Sequence, residues 1–184
     1  LFIVLVSILI LNSNISPYFL DLYNLIDSTF LFSEKAIIAL TMTFVIIARQ
    51  IDLSVASIIA VSSCVLGYTT SLGYDTWLVI SFTLLSGALC GAFNGAIITK
   101  FAIPSIIVTI GTMSLFRGLA YSFLEDSYYN KFPKLVSNLG SGYLFGYIPY
   151  AFLTFLLLSL VFAFILHKTS VGKKIYSIGN NPDA

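Results

Sequence analysis

Charged residues are scarce in this chain of 184: Asp, Glu, Lys and Arg together make up 9%. A water-soluble domain needs about 25% to cover its surface, so the composition excludes an ordinary soluble globule. Histidine occurs once and cysteine twice. His167 stands beside Lys168 at the end of an apolar run, where it reads as an interfacial residue. Cys64 and Cys90 each lie inside an apolar run. No spacing among them suits a metal site or a disulfide framework, and they read as small packing residues. The formal net charge of +1 lacks the basic footprint of a nucleic-acid binder. There is no phosphate-binding G-x-x-x-x-G-K-[ST] loop and no nucleophile beside a base. The chain is therefore expected to have no catalytic site, cofactor or metal of its own, and energy from ATP would have to come from another chain.

What is abundant is apolar surface. Hydrophobic residues make up 58% of the chain and mean hydropathy is +0.98, so the expected solvent is a bilayer. Uncharged apolar runs occur at Leu1–Leu11, Ala36–Ala48, Leu53–Thr69, Thr76–Thr99, Pro104–Leu124 and Ile148–Leu166. A spanning helix takes about 20 apolar residues, so Leu1–Leu11 reads as a clipped span. It has neither the basic flank nor the small-residue cleavage site of a signal peptide. Ala36–Ala48 is also short, and extending it to Phe30 takes in Glu34 and Lys35, which could snorkel to the interface. Between the runs, Asn12–Lys35 and Glu125–Tyr147 read as polar loops, Ser71–Asp75 as a tight turn around Gly73, and His167–Ala184 as a polar tail. The expectation is an all-α transmembrane bundle forming one domain over residues 1–184.

Orientation follows from the basic residues. Alternating spans put Arg49, Lys100, Lys168, Lys173 and Lys174 on one side and Lys35, Lys131 and Lys134 on the other. The positive-inside rule makes the first side cytoplasmic. Tyrosines 121, 128, 129, 143, 147 and 150 cluster toward the opposite side, at headgroup level.

Within the spans, Gly87, Gly91 and Gly95 recur at four-residue spacing, a pattern expected to let a second helix backbone approach. Ala56, Ala60, Cys64 and Gly67 form a similar small-residue stripe. Asn94, Thr109 and Thr112 suit either interhelical hydrogen bonds or a polar wall for a hydroxyl-rich solute. Arg117 is the charge in an otherwise uncharged span. Such a charge costs roughly 2.5–3.5 kcal/mol at a bilayer centre, and it suits either an anchor or the lining of a polar path.

Several segments, in order, resemble the permease family of ABC importers for ribose, xylose, galactose, rhamnose and the furanone-type quorum signal. Ile51-Asp52-Leu53-Ser54-Val55 resembles I-D-L-S-V-G, and Gly91-Ala92-Phe93-Asn94-Gly95 resembles G-x-x-N-G. The run Ile103 to Thr112 resembles I-P-x-F-I-V-T-L-G-T, and Phe116-Arg117-Gly118 resembles F-R-G. Leu139-Gly140-Ser141-Gly142 and Ile148-Pro149 match an outer loop. Gly172 to Ala184 resembles G-R-x-I-Y-A-I-G-G-N-P-E-A. The chain departs from the pattern at Arg49-Gln50, where the family usually has two glycines, and at Ala56, another glycine position.

The resemblance implies a part, with its first helix clipped and its C-terminal half missing, of a multi-pass permease in a bacterial inner membrane. About six spans would be present of roughly ten, counted at about 20 residues each. It implies as partners a second permease chain, an ATP-binding subunit, a periplasmic solute-binding protein, membrane lipid and a small sugar-like solute. It also implies that Gly179, Asn180, Asn181, Pro182 and Asp183 begin a loop coupling the bundle to the ATPase; a plain surface turn is the other reading of Asn-Pro. An ion-coupled secondary transporter and a non-transporting membrane scaffold remain as alternatives.

Overall fold

A computed structural model describes residues 1–124 and 128–180. Its elements are α1 (Phe2–Ile15), α2 (Leu22–Ile47), α3 (Val55–Ser71), α4 (Thr76–Phe101), α5 (Ser105–Leu124), α6 (Lys134–Ser141), the two-residue strands β1 (Tyr143–Leu144) and β2 (Ile148–Pro149), α7 (Tyr150–Lys168) and α8 (Ser170–Asn180). Helices α2, α4, α5 and α7 are long and apolar enough to cross a membrane, and α1 and α3 are shorter apolar helices. This is the helical membrane bundle expected, with about six apolar helices.

Three expected segments are corrected. Residues 12–35 are not one polar loop, because α2 begins at Leu22 and runs unbroken for 26 residues, about 39 Å at 1.5 Å per residue. Asp21 starts it, its carboxylate accepting a hydrogen bond from the Tyr23 amide at 3.2 Å, and no Gly or Pro interrupts it. Asp27, Glu34 and Lys35 are charges on a helix, not loop markers. Residues 170–180 of the expected polar tail form helix α8, and the 125–147 loop contains α6 and the first strand of a hairpin.

Helix α2 stops in a left-handed turn. The Arg49 amide donates to the Ile46 carbonyl at 2.9 Å and the Gln50 amide to Val45 at 3.0 Å. This is the Schellman pattern, which places Arg49 at the position usually held by glycine. Its φ is +56°, so the glycine missing from the expected I-D-L-S motif is missing where the backbone most favours one.

Packing falls into two groups. Helices α3, α4 and α5 pack on one another, and α2 packs on α7, with α6, the hairpin and α8 at its ends. Val61 and Cys64 of α3 meet Phe116 and Ala120 of α5 in the apolar core, with Cys90 alongside. The Cys64 thiol lies 3.6 Å from the Ala120 carbonyl, and both cysteines are free.

The glycine stripe of α4 meets α3 only in part. A Cβ on Gly87 would lie 3.2 Å from the Ser62 hydroxyl, but beside Gly91 and Gly95 there is open space among the described residues. Four-residue steps turn about 40° past a full circle each time, so Gly95 is rotated about 80° from Gly87. Val79 and Asn94, not the last two glycines, are the buried residues of α4.

Candidate functional site

The basic end of the bundle is tied together by the loop between α2 and α3. The Asp52 carboxylate accepts from the Ser54 amide at 2.8 Å and from the Ser54 hydroxyl at 2.7 Å. Asn94, deep in α4, donates through Nδ2 to the same Ser54 hydroxyl at 2.8 Å. From α5, the Ser105 hydroxyl accepts the Ile51 amide at 3.0 Å, and the Thr109 hydroxyl donates to the Ile51 carbonyl at 3.3 Å. Thr112 donates to the Thr109 carbonyl at 3.4 Å. Three separate sequence segments thus meet through polar groups where α3 and α5 begin and α4 approaches its end. Two buried atoms there, Ser57 Oγ and Asn94 Oδ1, have no hydrogen-bond partner among the described residues.

This geometry divides the four polar span residues. Asn94, Thr109 and Thr112 are buried, and their donors face neighbouring backbone or Ser54. Arg117 is exposed and lines a cleft of about 530 Å³ with Ser63, Tyr121, Tyr129 and Phe132. The cleft lies at the opposite end of α3 and α5. There the Tyr129 ring rests on Gly67, where an added Cβ would come within 2.5 Å of it. The small-residue stripe of α3 therefore receives an aromatic ring at the end away from the basic residues, a contact no residue spacing indicated.

At the basic end, Thr169 starts α8, its hydroxyl accepting the Gly172 amide at 3.3 Å. Gly172 and Gly179 are both buried, two turns apart on one face. A side chain on Gly172 would strike the Leu166 carbonyl, and one on Gly179 the Ile47 carbonyl. Glycine is what lets α8 lie against the last turns of both α7 and α2. Of the expected coupling residues, Gly179 is docked against α2 and Asn180 is exposed. Asn181, Pro182 and Asp183 lie outside the described residues.

At the other end, the Tyr143 hydroxyl donates to Asp27 of α2 at 3.2 Å, and its ring stacks on Phe30 with centroids 6.4 Å apart. Desolvation, then the hydrogen bond and charge of Asp27, hold the Tyr143 phenol above its ordinary pKa. The hairpin turns through Phe145 and Gly146, both at positive φ, and so lays β1 over the start of α2.

A family model described as branched-chain amino acid transport system / permease component matches residues 24–184. The Ribose import permease protein RbsC of Haemophilus influenzae is 34% identical over all of this chain and 58% of its own length. The Autoinducer 2 import system permease protein LsrC of Yersinia pestis is 33% identical over 86% of the chain and 46% of its own length. LsrD of Klebsiella pneumoniae is 32% identical over 98% of the chain and 56% of its own length. The chain thus spans about half the length of these curated relatives. No solved structure matches.

Proposed function

Because this chain belongs to the family of branched-chain amino acid transport system permease components, we propose that it is part of the membrane-spanning permease of an ABC importer for a sugar-like solute. The observation that carries the reading is the match of the whole chain to a ribose import permease. Energy would come from ATP hydrolysis on a partner subunit, a second permease chain would complete the pore, and a periplasmic protein would deliver the solute. The setting would be a bacterial inner membrane with the basic end cytoplasmic, as the distribution of Lys and Arg favours.

The mechanical requirement is that motion of a separate ATPase reach the bundle by contact. Helix α8 suits this role. It lies against the end of α2 through Gly179, and the α2–α3 loop is bonded to α3, α4 and α5 through Asp52, Ile51 and Ser54. A push on α8 is therefore delivered to the junction of both packing groups. We assign Asn180 to Asp183 the contact with the ATPase and Gly179 the docking onto α2. Arg117 is one charged residue along the solute path, at the cleft it lines, while Asn94, Thr109 and Thr112 hold the helices that shape it.

The test is reconstitution of the full-length protein with its ATP-binding and solute-binding partners. Solute-stimulated ATP hydrolysis and uptake of D-ribose, D-xylose or L-rhamnose are expected. Uptake driven by an ion gradient without ATP would instead establish a secondary transporter, and recovery of the protein without an ATP-binding subunit would remove the importer assignment.

A further inference from the structure

Glu34 is exposed on α2, 13 residues before its last residue, Ile47. That is about 20 Å along the axis, which is inside a hydrocarbon core of about 30 Å when the end of α2 lies at the membrane boundary. Arg117, 12 residues along α5, lies at a similar depth, about 18 Å. A carboxylate at this depth is costly, and such groups face cavities or partners rather than lipid tails.

Glu34 faces two cavities. One, of about 480 Å³, lies between α2 and the start of α3 and also meets Asp52 and Met42. The other, of about 400 Å³, lies toward α6 and α7 and includes Phe30, Gly140 and Thr154. Both volumes fall in the range of about 300–1,000 Å³ typical of small-molecule sites. Phe30 stands one turn above Glu34 and is itself covered by the Tyr143 ring. The groove between α2 and α3 thus sets the Glu34 carboxylate among the apolar side chains of Ile38, Met42 and Ile59, with Asp52 at its far end.

We propose that Glu34 contacts the transported solute, its carboxylate accepting hydrogen bonds from two hydroxyls of a neutral polyol as the solute passes between α2 and α3. An ionised carboxylate has two oxygens and no donor, so it complements a ring that displays neighbouring O–H groups. A neutral solute entering this groove loses water, and each hydroxyl then needs an acceptor. Ile38 and Met42 offer apolar surface to the C–H side of the same ring. The inference rests on the import reading above and adds a specificity-determining residue that no motif in the sequence marks.

The test uses the full-length importer in proteoliposomes with D-ribose, D-xylose and L-rhamnose as probes. Wild-type protein that moves none of them overturns the import reading and this assignment with it. For a sugar that is moved, Glu34 should react with dicyclohexylcarbodiimide, as read by mass spectrometry, and saturating sugar should protect it. Glu34→Leu should lower uptake about tenfold or more, the scale of hydrogen bonds to a charged group, with Glu34→Gln between the two. Deoxy analogues should be discriminated by the wild type and not by Glu34→Gln. If Glu34→Leu fails to assemble, the labelling of wild-type protein still decides. Labelling that a transported sugar leaves undiminished, or protection by a polyamine and not by the sugar, would overturn the assignment and leave the import reading in place.

Discussion

Asn94 and Ser54, 40 residues apart, share a hydrogen bond of 2.8 Å that fastens α4 to the first turn of α3. Ser54 donates its own hydroxyl hydrogen bond to Asp52, so one hydroxyl joins a span to the loop that ends α2. The arrangement explains why a polar residue lies in the middle of an apolar helix without opening onto a cleft.

Removing the carboxylate should cost more than removing the amide. Interhelical hydrogen bonds in membranes average about 0.6 kcal/mol, and Asn94→Ala should destabilise the folded protein on that scale. Asp52→Ala removes two bonds to a charged acceptor, each worth about 1.5–3 kcal/mol, and leaves Ser54 without its acceptor. Detergent-denaturation midpoints of the full-length permease would rank the two. An equal or reversed order would mean that Asp52 does not hold the loop.

Arg49→Gly is expected to stabilise the protein. A side chain in the left-handed region costs about 1–2 kcal/mol relative to glycine, and Arg49 sits there at φ +56°. The gain should appear as a higher denaturation midpoint. A lower one would show that the guanidinium makes contacts in the assembled importer that outweigh the backbone strain.

Gly179→Val should displace α8, because any side chain there collides with the Ile47 carbonyl. Trypsin applied from the basic end should then cut faster at Lys173 and Lys174, and solute-stimulated ATP hydrolysis should fall. Replacing Asn181 and Asp183 with bulky residues should give the second effect without the first. Unchanged stimulation in both variants would leave α8 with no coupling role.

The two central glycines of α4 should behave differently. Gly87→Leu must fit against Ser62 and should destabilise by about 1–3 kcal/mol, as overpacking does. Gly91→Leu points into open space among the described residues and should be tolerated by the packing of α4 on its neighbours. A large loss of assembly for Gly91→Leu in the full-length permease would show that another helix covers that face.

Sidedness can be read by cysteine labelling in a background lacking Cys64 and Cys90. Ser137→Cys on α6 should react with an impermeant reagent from outside, and Ser170→Cys at the start of α8 should not. Reaction of the second alone would invert the orientation. At the same end of the bundle as α6, Tyr143→Phe should loosen the hairpin from Asp27 while keeping the Phe30 stack, raising protease cleavage near Lys134. Because the phenol's pKa is raised, its O–H form is the stabilised one. The bond therefore persists below the ordinary tyrosine pKa of about 10 and is lost as pH rises through the raised value, where wild type should come to resemble the Phe variant.

The sequence by itself determined the solvent and the approximate number of apolar helices. Both follow from side-chain partitioning summed over a window of about 20 residues, which needs no knowledge of neighbours. The ordered segments from Ile51 onward were likewise legible, because residue identity and order carry a resemblance. Window sums could not say where α2 begins, since Glu34 and Lys35 lower local hydropathy without breaking a helix. Nor could they say which way a helix is turned. That depends on its partners, which is why Gly91 and Gly95 face open space among the described residues while Asn94 is buried. Only the tertiary structure decided that Asp52, Ser54, Asn94, Ser105 and Thr109 meet at one end, that Arg117 faces a cleft, and that α8 docks on α2 through Gly179. Each is a contact between residues far apart in the chain, fixed by the rotation and approach of whole helices rather than by any local pattern.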